Sequence, residues 1–371
     1  MPELDGLRGC AILLVVIWHY AAQPANPAPG TVLALMIQPF KISWSGVDLF
    51  FVLSGFLIGG ILLDHRTSLR YFKTFYTRRI CRIFPLYYFW IALYLLIPAI
   101  LTHFQLGTYP DIFGEERRPW PYLFFVQNIA MVKGLYWGPY WLNLTWSLAI
   151  EEQFYIVLPL LIRFLPLRAL PWVLVFLIVL AVALRYALYG DPDASGFPGF
   201  LLLPCRADAL LLGVLCAWSI RQNEIRSFLS RSRRVLSLLA VLLAAGVIVL
   251  AFQSPGIFSP VMNVYGFTWI ALFYSALLLL IVLKPDGKAA AVFRFMPLRR
   301  LGMIAYGIYL IHHAMLLVVF NLAFHLSEPF FYAAGAARLT LISLIATLAT
   351  AQLLWVSFEK RMIGYGHSYR Y

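Results

Sequence analysis

Charge is what this chain has least of. Only 12% of its 371 residues are Asp, Glu, Lys or Arg, against 62% hydrophobic, and the mean hydropathy is +0.81. A soluble domain covers its surface with roughly a quarter charged residues, so the composition excludes a soluble globular protein and specifies an integral membrane one. Negative charge is scarcest: 16 acidic residues against 29 Lys and Arg leave a formal net charge of +13. That excess does not indicate a nucleic-acid partner, because the positives gather in alternate loops between apolar runs, as the positive-inside rule produces. Cysteine is rare as well. Cys10, Cys81, Cys205 and Cys216 lie within or beside apolar runs at no metal-ligand spacing, which indicates neither a disulfide framework nor a metal site. No internal repeat of the kind carried by inverted-repeat transporters is visible. A positively charged leading segment is also missing, since Glu3 and Asp5 stand there with one arginine. The first apolar run, although followed by Ala21 and Ala22, therefore reads as a retained span and not as a signal peptide.

What is present is a series of ten apolar segments, at 8–22, 44–63, 84–104, 145–165, 170–189, 200–220, 233–252, 263–283, 301–324 and 332–357. The expected fold is an all-α integral membrane bundle of about ten transmembrane helices, a single domain over 1–371. An even number of spans puts both termini on one side. Arginine-rich loops after the second, fourth, sixth and eighth spans make that side the cytoplasm, and the opposite loops hold only Lys41, Arg117, Arg118 and Lys133. The long outward segment Gln105–Leu144, rich in Pro, Trp and Tyr, is expected to lie along the outer interface or to form a rim over an outward-facing cavity.

Against this apolar background a few polar residues stand out. In PELDGLRGCAILLVVIWHY, the first twenty residues less the initial Met, Arg8 and His19 are eleven apart. On a helix they share a face to within about 20°, about 16 Å apart along the axis, which puts the arginine near one surface and the imidazole near mid-depth of the bilayer. An ionisable group there normally faces a bundle interior or a wet cavity, and histidine takes and returns protons near neutral pH. The structural alternative is a histidine hydrogen-bonded to a neighbouring helix. The second span, GVDLFFVLSGFLIGGILL, holds Asp48 and Ser54 among four glycines that permit close helix approach. RRICRIFPLYY places Arg79 and Arg82 one turn apart, and arginine forks suit phosphate oxygens. In TWSLAIEEQFY, Ser147, Glu151 and Tyr155 share a face; RADALLLG carries Arg206 and Asp208; LGMIAYGIYLIHHAM aligns Tyr306 with His313, flanked by Tyr309; Glu359 closes the tenth span. Together these predict one polar chamber in an apolar bundle.

Taken in order, ELDGLRG with His19, GVDLFFVLSGFLI, the pair Arg79 and Arg82, WSLAIEEQFY, RADALLLG and YGIYLIHH resemble the bacterial acyltransferase-3 family of membrane acyltransferases, and the resemblance runs from residue 3 to about residue 360. It implies transfer of an acyl group, usually acetyl from cytosolic acetyl-CoA, onto a hydroxyl of a carbohydrate or other acceptor, in the bacterial cytoplasmic membrane. Some family members carry an extracytoplasmic hydrolase-like domain; none is expected in this sequence.

An alcohol needs a base to take its proton and a thioester carbonyl needs donors for its developing negative charge. His19 is the expected general base. Glu151 or Asp5 would orient it, with Glu151 preferred because Asp5 lies far down the stripe. Arg8, Arg79 and Arg82 are expected to hold the phosphates of CoA. Tyr306, Tyr309 and His313 would line the acceptor passage or bind the carbonyl oxygen, and Asp5, Asp48, Ser147, Tyr155, Arg206 and Asp208 complete the expected substrate-binding set. Direct transfer is preferred to an acyl-enzyme relay because it requires fewer groups. The alternative class is a proton-coupled transporter or flippase of glycans or lipids, since the same residue types serve proton relays; unlike the enzyme, it needs no CoA.

Overall fold

The computed structural model describes residues 1–25, 27–28, 30–114, 118–189, 196–254, 256–324 and 335–371. Among them there is no strand, and ten helical runs are long and apolar enough to cross a membrane. They are α1 (Pro2–Ala22), α2 (Val32–Asp64), α3 (Tyr71–His103), α4 (Asn143–Phe164), α5 (Leu170–Tyr189), α6 (Phe197–Ser219), α7 (Arg233–Gln253), α8 (Met262–Leu283), α9 (Ala305–Ala323) and α10 (Ala336–Ser368). The chain is thus an all-α protein built for a bilayer, where backbone polar groups find no water and helices satisfy them internally. Its exposed apolar side chains agree. On α5, Trp172 is 75% and Phe176 64% exposed, a liability in water that contact with lipid removes.

Element ends differ from the sequence reading where polarity hides a helix. α1 begins at Pro2 and not at residue 8, because Pro occupies the first helical position, where its missing N–H costs nothing. α3 begins at Tyr71, thirteen residues before the expected start at residue 84. Nothing in the basic stretch breaks a helix after the turn at Ser68, whose hydroxyl accepts from the Arg70 amide at 3.1 Å. At 33 residues α3 is about 50 Å long, well over the roughly 30 Å of a hydrocarbon core, so its Arg-rich end extends past the apolar layer. The expected tenth span starts at residues 332–334, which lie outside the described residues, as does Arg117. α10 itself continues to Ser368 through a π-helical turn, Trp355–Glu359.

The chain forms two compact units. The first comprises Met1–Trp18, Pro27–Thr67 and Ile150–Met303, and the second His19–Asn26, Ser68–Ala149 and Ile304–Tyr371. In the first, α6 lies against α2 and α5, and α7 against α8. Glycines permit the closest of these approaches. A Cβ added to Gly55 would stand 1.9 Å from the Leu210 carbonyl oxygen, and one on Gly213 would stand 2.1 Å from that of Val52, so the two backbones touch directly.

In the second unit α9 packs on α10, and the end of α10 packs on α3. The outer segment is pinned to α3 by its aromatics. Trp90 Nε1 donates to the Trp141 carbonyl at 2.9 Å, Trp141 Nε1 returns a bond to Trp90 at 3.2 Å, and the two indoles stack with centroids 4.2 Å apart. Tyr87 donates to the Tyr122 carbonyl at 2.8 Å, which holds Tyr122 in a buried position where loss of hydration pushes its phenol pKa up. Trp120, Phe124 and Tyr136 of the same segment stay exposed.

Candidate active site

The histidines expected from the sequence gather in the second unit. His19 lies in a π-helical turn, Trp18–Ala22, that ends α1, a local widening that often marks functional positions. The next residue clamps this turn to α9 and α10: the Tyr20 hydroxyl donates to the carbonyl of His312 at 2.8 Å and lies 2.8 Å from Thr347 Oγ1. Nδ1 of half-buried His19 faces Nε2 of His312 at 3.2 Å. The ring of His313 lies with its centroid 4.7 Å from that of His19, and its Nδ1 is 3.1 Å from Asn143 Oδ1 at the start of α4. His312 and His313 are both buried.

Tyr309, whose ring centroid is 6.1 Å from that of His312, continues the cluster. Its hydroxyl donates to the Leu144 carbonyl at 3.1 Å and meets the Ser147 hydroxyl at 2.5 Å. Tyr306 goes elsewhere, donating to the Ile83 carbonyl of α3 at 2.9 Å, next to Arg82. Arg79 and Arg82 are half-buried on α3, and buried Glu359 is within electrostatic reach of Arg82.

The first unit holds the other predicted residues in separate groupings. Arg8 donates to Asp5 at 2.7 Å, and the Asp5 backbone lies where a Cβ on Gly302 would meet it. Asp48 pairs with Arg206 at 2.7 Å, the guanidinium lying 4.1 Å from the centroid of Phe267. Asp208 pairs with Arg185 at 2.9 Å and accepts from Thr268 at 2.5 Å. Arg185 also donates to the carbonyls of Asn263 at 2.8 Å and of Cys205. All four charged side chains are at most 1% exposed. Ser54 lies 2.6 Å from the Tyr155 hydroxyl, which donates to Glu151 at 3.2 Å. Because a carboxylate only accepts, the order of donation is Ser54 to Tyr155 to Glu151.

Sequence reasoning passed over His312, Asn143, Tyr20, Thr347 and Arg185 as site residues. The adjacent histidines were the available signal for the first, and helical alignment with Tyr306 selected His313 alone. An isolated arginine deep in an apolar helix was the signal for Arg185. Asn143 and Thr347 carry none, since single neutral polar residues are common in membrane helices.

Among the described residues, ten helices long and apolar enough to cross a membrane, with a histidine cluster in one unit and buried charge pairs in the other, define the class as an integral membrane protein that carries polar groups within its spans. The acyltransferase-3 family model, described as an acyltransferase domain, matches residues 1–356, and the chain belongs to that family. It is 28% identical over 334 residues to the peptidoglycan O-acetyltransferase OatA of Listeria monocytogenes, covering 85% of this chain and 49% of that protein. It is 28% identical over 332 residues to the putative peptidoglycan O-acetyltransferase YrhL of Bacillus subtilis, covering 86% and 49%. The O-acetyltransferase OatA of Staphylococcus aureus is 28% identical over 344 residues, covering 86% and 51%. The chain spans about half the length of these curated relatives. No solved structure matches it.

Proposed function

We propose that this chain is an O-acyltransferase of the bacterial cytoplasmic membrane that moves acetyl from cytosolic acetyl-CoA to a hydroxyl of a glycan, with His19 as general base. Membership of an acyltransferase family supports the reaction class, and relatives named as peptidoglycan O-acetyltransferases support a carbohydrate acceptor. The observation that carries the reading is His19 itself, a half-buried imidazole in a membrane span, gripped through its neighbour Tyr20 and through its own Nδ1.

In the proposed reaction His19 takes the proton of the acceptor hydroxyl as that oxygen attacks the thioester carbonyl. The carbon–sulfur bond then breaks, and the proton passes to the leaving thiolate, giving the acetyl ester and free CoA thiol. Arg79 and Arg82, one turn apart on the end of α3 that extends past the apolar layer, are the proposed phosphate ligands. Arg8 and Glu151 keep their proposed roles, a phosphate contact and a carboxylate that favours the imidazolium. Tyr309, Ser147 and His313 are proposed to face the reacting groups. Asp48, Arg206, Asp208, Tyr155 and Tyr306 are proposed to shape the substrate path through their hydrogen bonds and ion pairs.

The test is turnover of radiolabelled acetyl-CoA by the detergent-purified protein. His19→Ala is expected to lower kcat by about 10²-fold or more, the usual contribution of a general base. Arg79→Ala/Arg82→Ala is expected to raise the donor KM about tenfold or more with less effect on kcat. Near-normal turnover by a well-folded His19→Ala protein would remove the base assignment. Absence of donor binding at millimolar acetyl-CoA would favour the transporter class instead.

A further inference from the structure

His312 is buried with 0% exposure, and its two ring nitrogens face different kinds of partner. Nδ1 lies 2.9 Å from the backbone carbonyl oxygen of Ile308 and 2.9 Å from that of Tyr309. Both oxygens can only accept. A neutral imidazole has one N–H, so the two carbonyls require it on Nδ1; a lone pair there would face two others. Nε2 of His312 is then an acceptor, and the atom it meets at 3.2 Å is Nδ1 of His19. His19 must therefore carry its own proton on Nδ1, which puts its basic lone pair on Nε2.

We infer that His312 is the positioning residue of the reaction: by accepting from His19 Nδ1–H it fixes the tautomer and ring orientation of the base, and it supports the positive charge that forms when Nε2 takes the acceptor's proton. This rests on the reading of His19 as general base. It gives His312 the task of orienting the imidazole, which the sequence alone suggests for Glu151 or Asp5. In the Ser-His-Asp arrangement a carboxylate does this work; here a neutral imidazole does it, without a second full charge inside the bilayer, where charge is costly.

The hold on His19 is doubled. While His312 accepts at the His19 ring through Nε2, its own backbone carbonyl accepts the Tyr20 hydroxyl at 2.8 Å, and Thr347 of α10 meets that hydroxyl at 2.8 Å. Two consecutive residues of the π-helical turn are thus fastened to one residue of α9. A one-residue shift of the turn would break both bonds together.

The tautomer is directly measurable in the folded wild-type protein. Each histidine here follows a different residue type, and the pairs Trp18–His19 and Ile311–His312 each occur once. Carbonyl-13C tryptophan or isoleucine combined with 15N-histidine therefore selects each in solid-state NMR. The expected result is protonated Nδ1 and unprotonated Nε2 in both rings at a pH where they are neutral. A His19 ring protonated on Nε2 would overturn the inference whether or not any variant folds.

Kinetics supplies the second arm, with acetyl-CoA as donor and lysozyme-released peptidoglycan fragments as acceptor probe. Gln can present an acceptor near the position of the His312 Nε2, whereas Asn is too short and Phe keeps the bulk without an acceptor. His312→Gln is expected to retain kcat within about threefold of wild type. His312→Asn and His312→Phe should lose about tenfold or more, with donor KM within about twofold. A purely packing role gives the opposite order, with Phe tolerated best, and that order would overturn the proposal. If His19→Ala is inactive while His312→Phe turns over normally, the inference fails and the base assignment stands. If His19→Ala turns over normally, the underlying reading fails.

Discussion

Asp48 and Arg206 meet at 2.7 Å with side chains 1% exposed, yet the pair is only partly satisfied. Asp48 Oδ2 and Arg206 Nε and Nη1 have no hydrogen-bond partner among the described residues, although the guanidinium rests on Phe267. An ion pair in such surroundings contributes little net stability, but removing one member strands the other charge, at about 3–5 kcal/mol. Arg206→Leu should therefore destabilise the protein by about that amount. Asp48→Leu/Arg206→Leu should recover most of it, as followed by tryptophan fluorescence during thermal unfolding in detergent. Acetyl-CoA turnover by the double variant then separates the two roles of the pair: a stable but inactive protein supports the substrate-path assignment, and a stable, active one makes the pair structural. The residue types in this network were legible because charge is so scarce in the sequence. Their partners were not, since nothing in RADALLLG says that Asp208 turns to Arg185 of α5 while Arg206 turns to Asp48 of α2.

Helices were the most legible level, for a physical reason. Twenty apolar residues without charge have one stable form in lipid, and that form is a helix. α5 over Leu170–Tyr189 is legible from hydropathy even though it carries one charge, Arg185, toward its end. Hydropathy is silent where a helix leaves the apolar layer, which is why the basic turns of α3 and the end of α10 were missed. Which faces meet was half legible: the glycines of α2 announced close approach without naming the partner. The partner is α6, and the fit leaves no space, since a Cβ on Gly55 would fall 1.9 Å from a backbone oxygen that cannot rotate away. Gly55→Ala is accordingly expected to cost about 1–3 kcal/mol through separation of the two backbones. Gly364→Ala, where nothing lies within 4 Å of an added Cβ, should leave stability unchanged or slightly raised. Parallel melting curves check both, and equal shifts for the two would mean that the contact does not limit stability.

For the whole molecule, the two compact units interleave along the chain, with boundaries between Trp18 and His19 and between Ala149 and Ile150. Both fall inside helices, where neither composition nor a loop marks them. Orientation in the membrane is a different matter, because charge distribution sets it during insertion. Arg66 and Arg70, followed by the Arg-rich start of α3, flank Leu69, a fully exposed residue between α2 and α3. Tyr136, exposed in the outer segment between α3 and α4, has only Lys133 near it in sequence. If the basic loops are cytoplasmic, single cysteines at these two places must lie on opposite sides of the membrane. The native thiols at Cys10, Cys81, Cys205 and Cys216 are first replaced by alanine. Tyr136→Cys should then react with a membrane-impermeant maleimide in intact spheroplasts, and Leu69→Cys should react only after the membrane is opened. The reverse pattern would put Arg79 and Arg82 on the outer side, where cytosolic acetyl-CoA does not reach them. This one labelling experiment therefore tests the orientation and, with it, the assignment of the arginine pair to the donor.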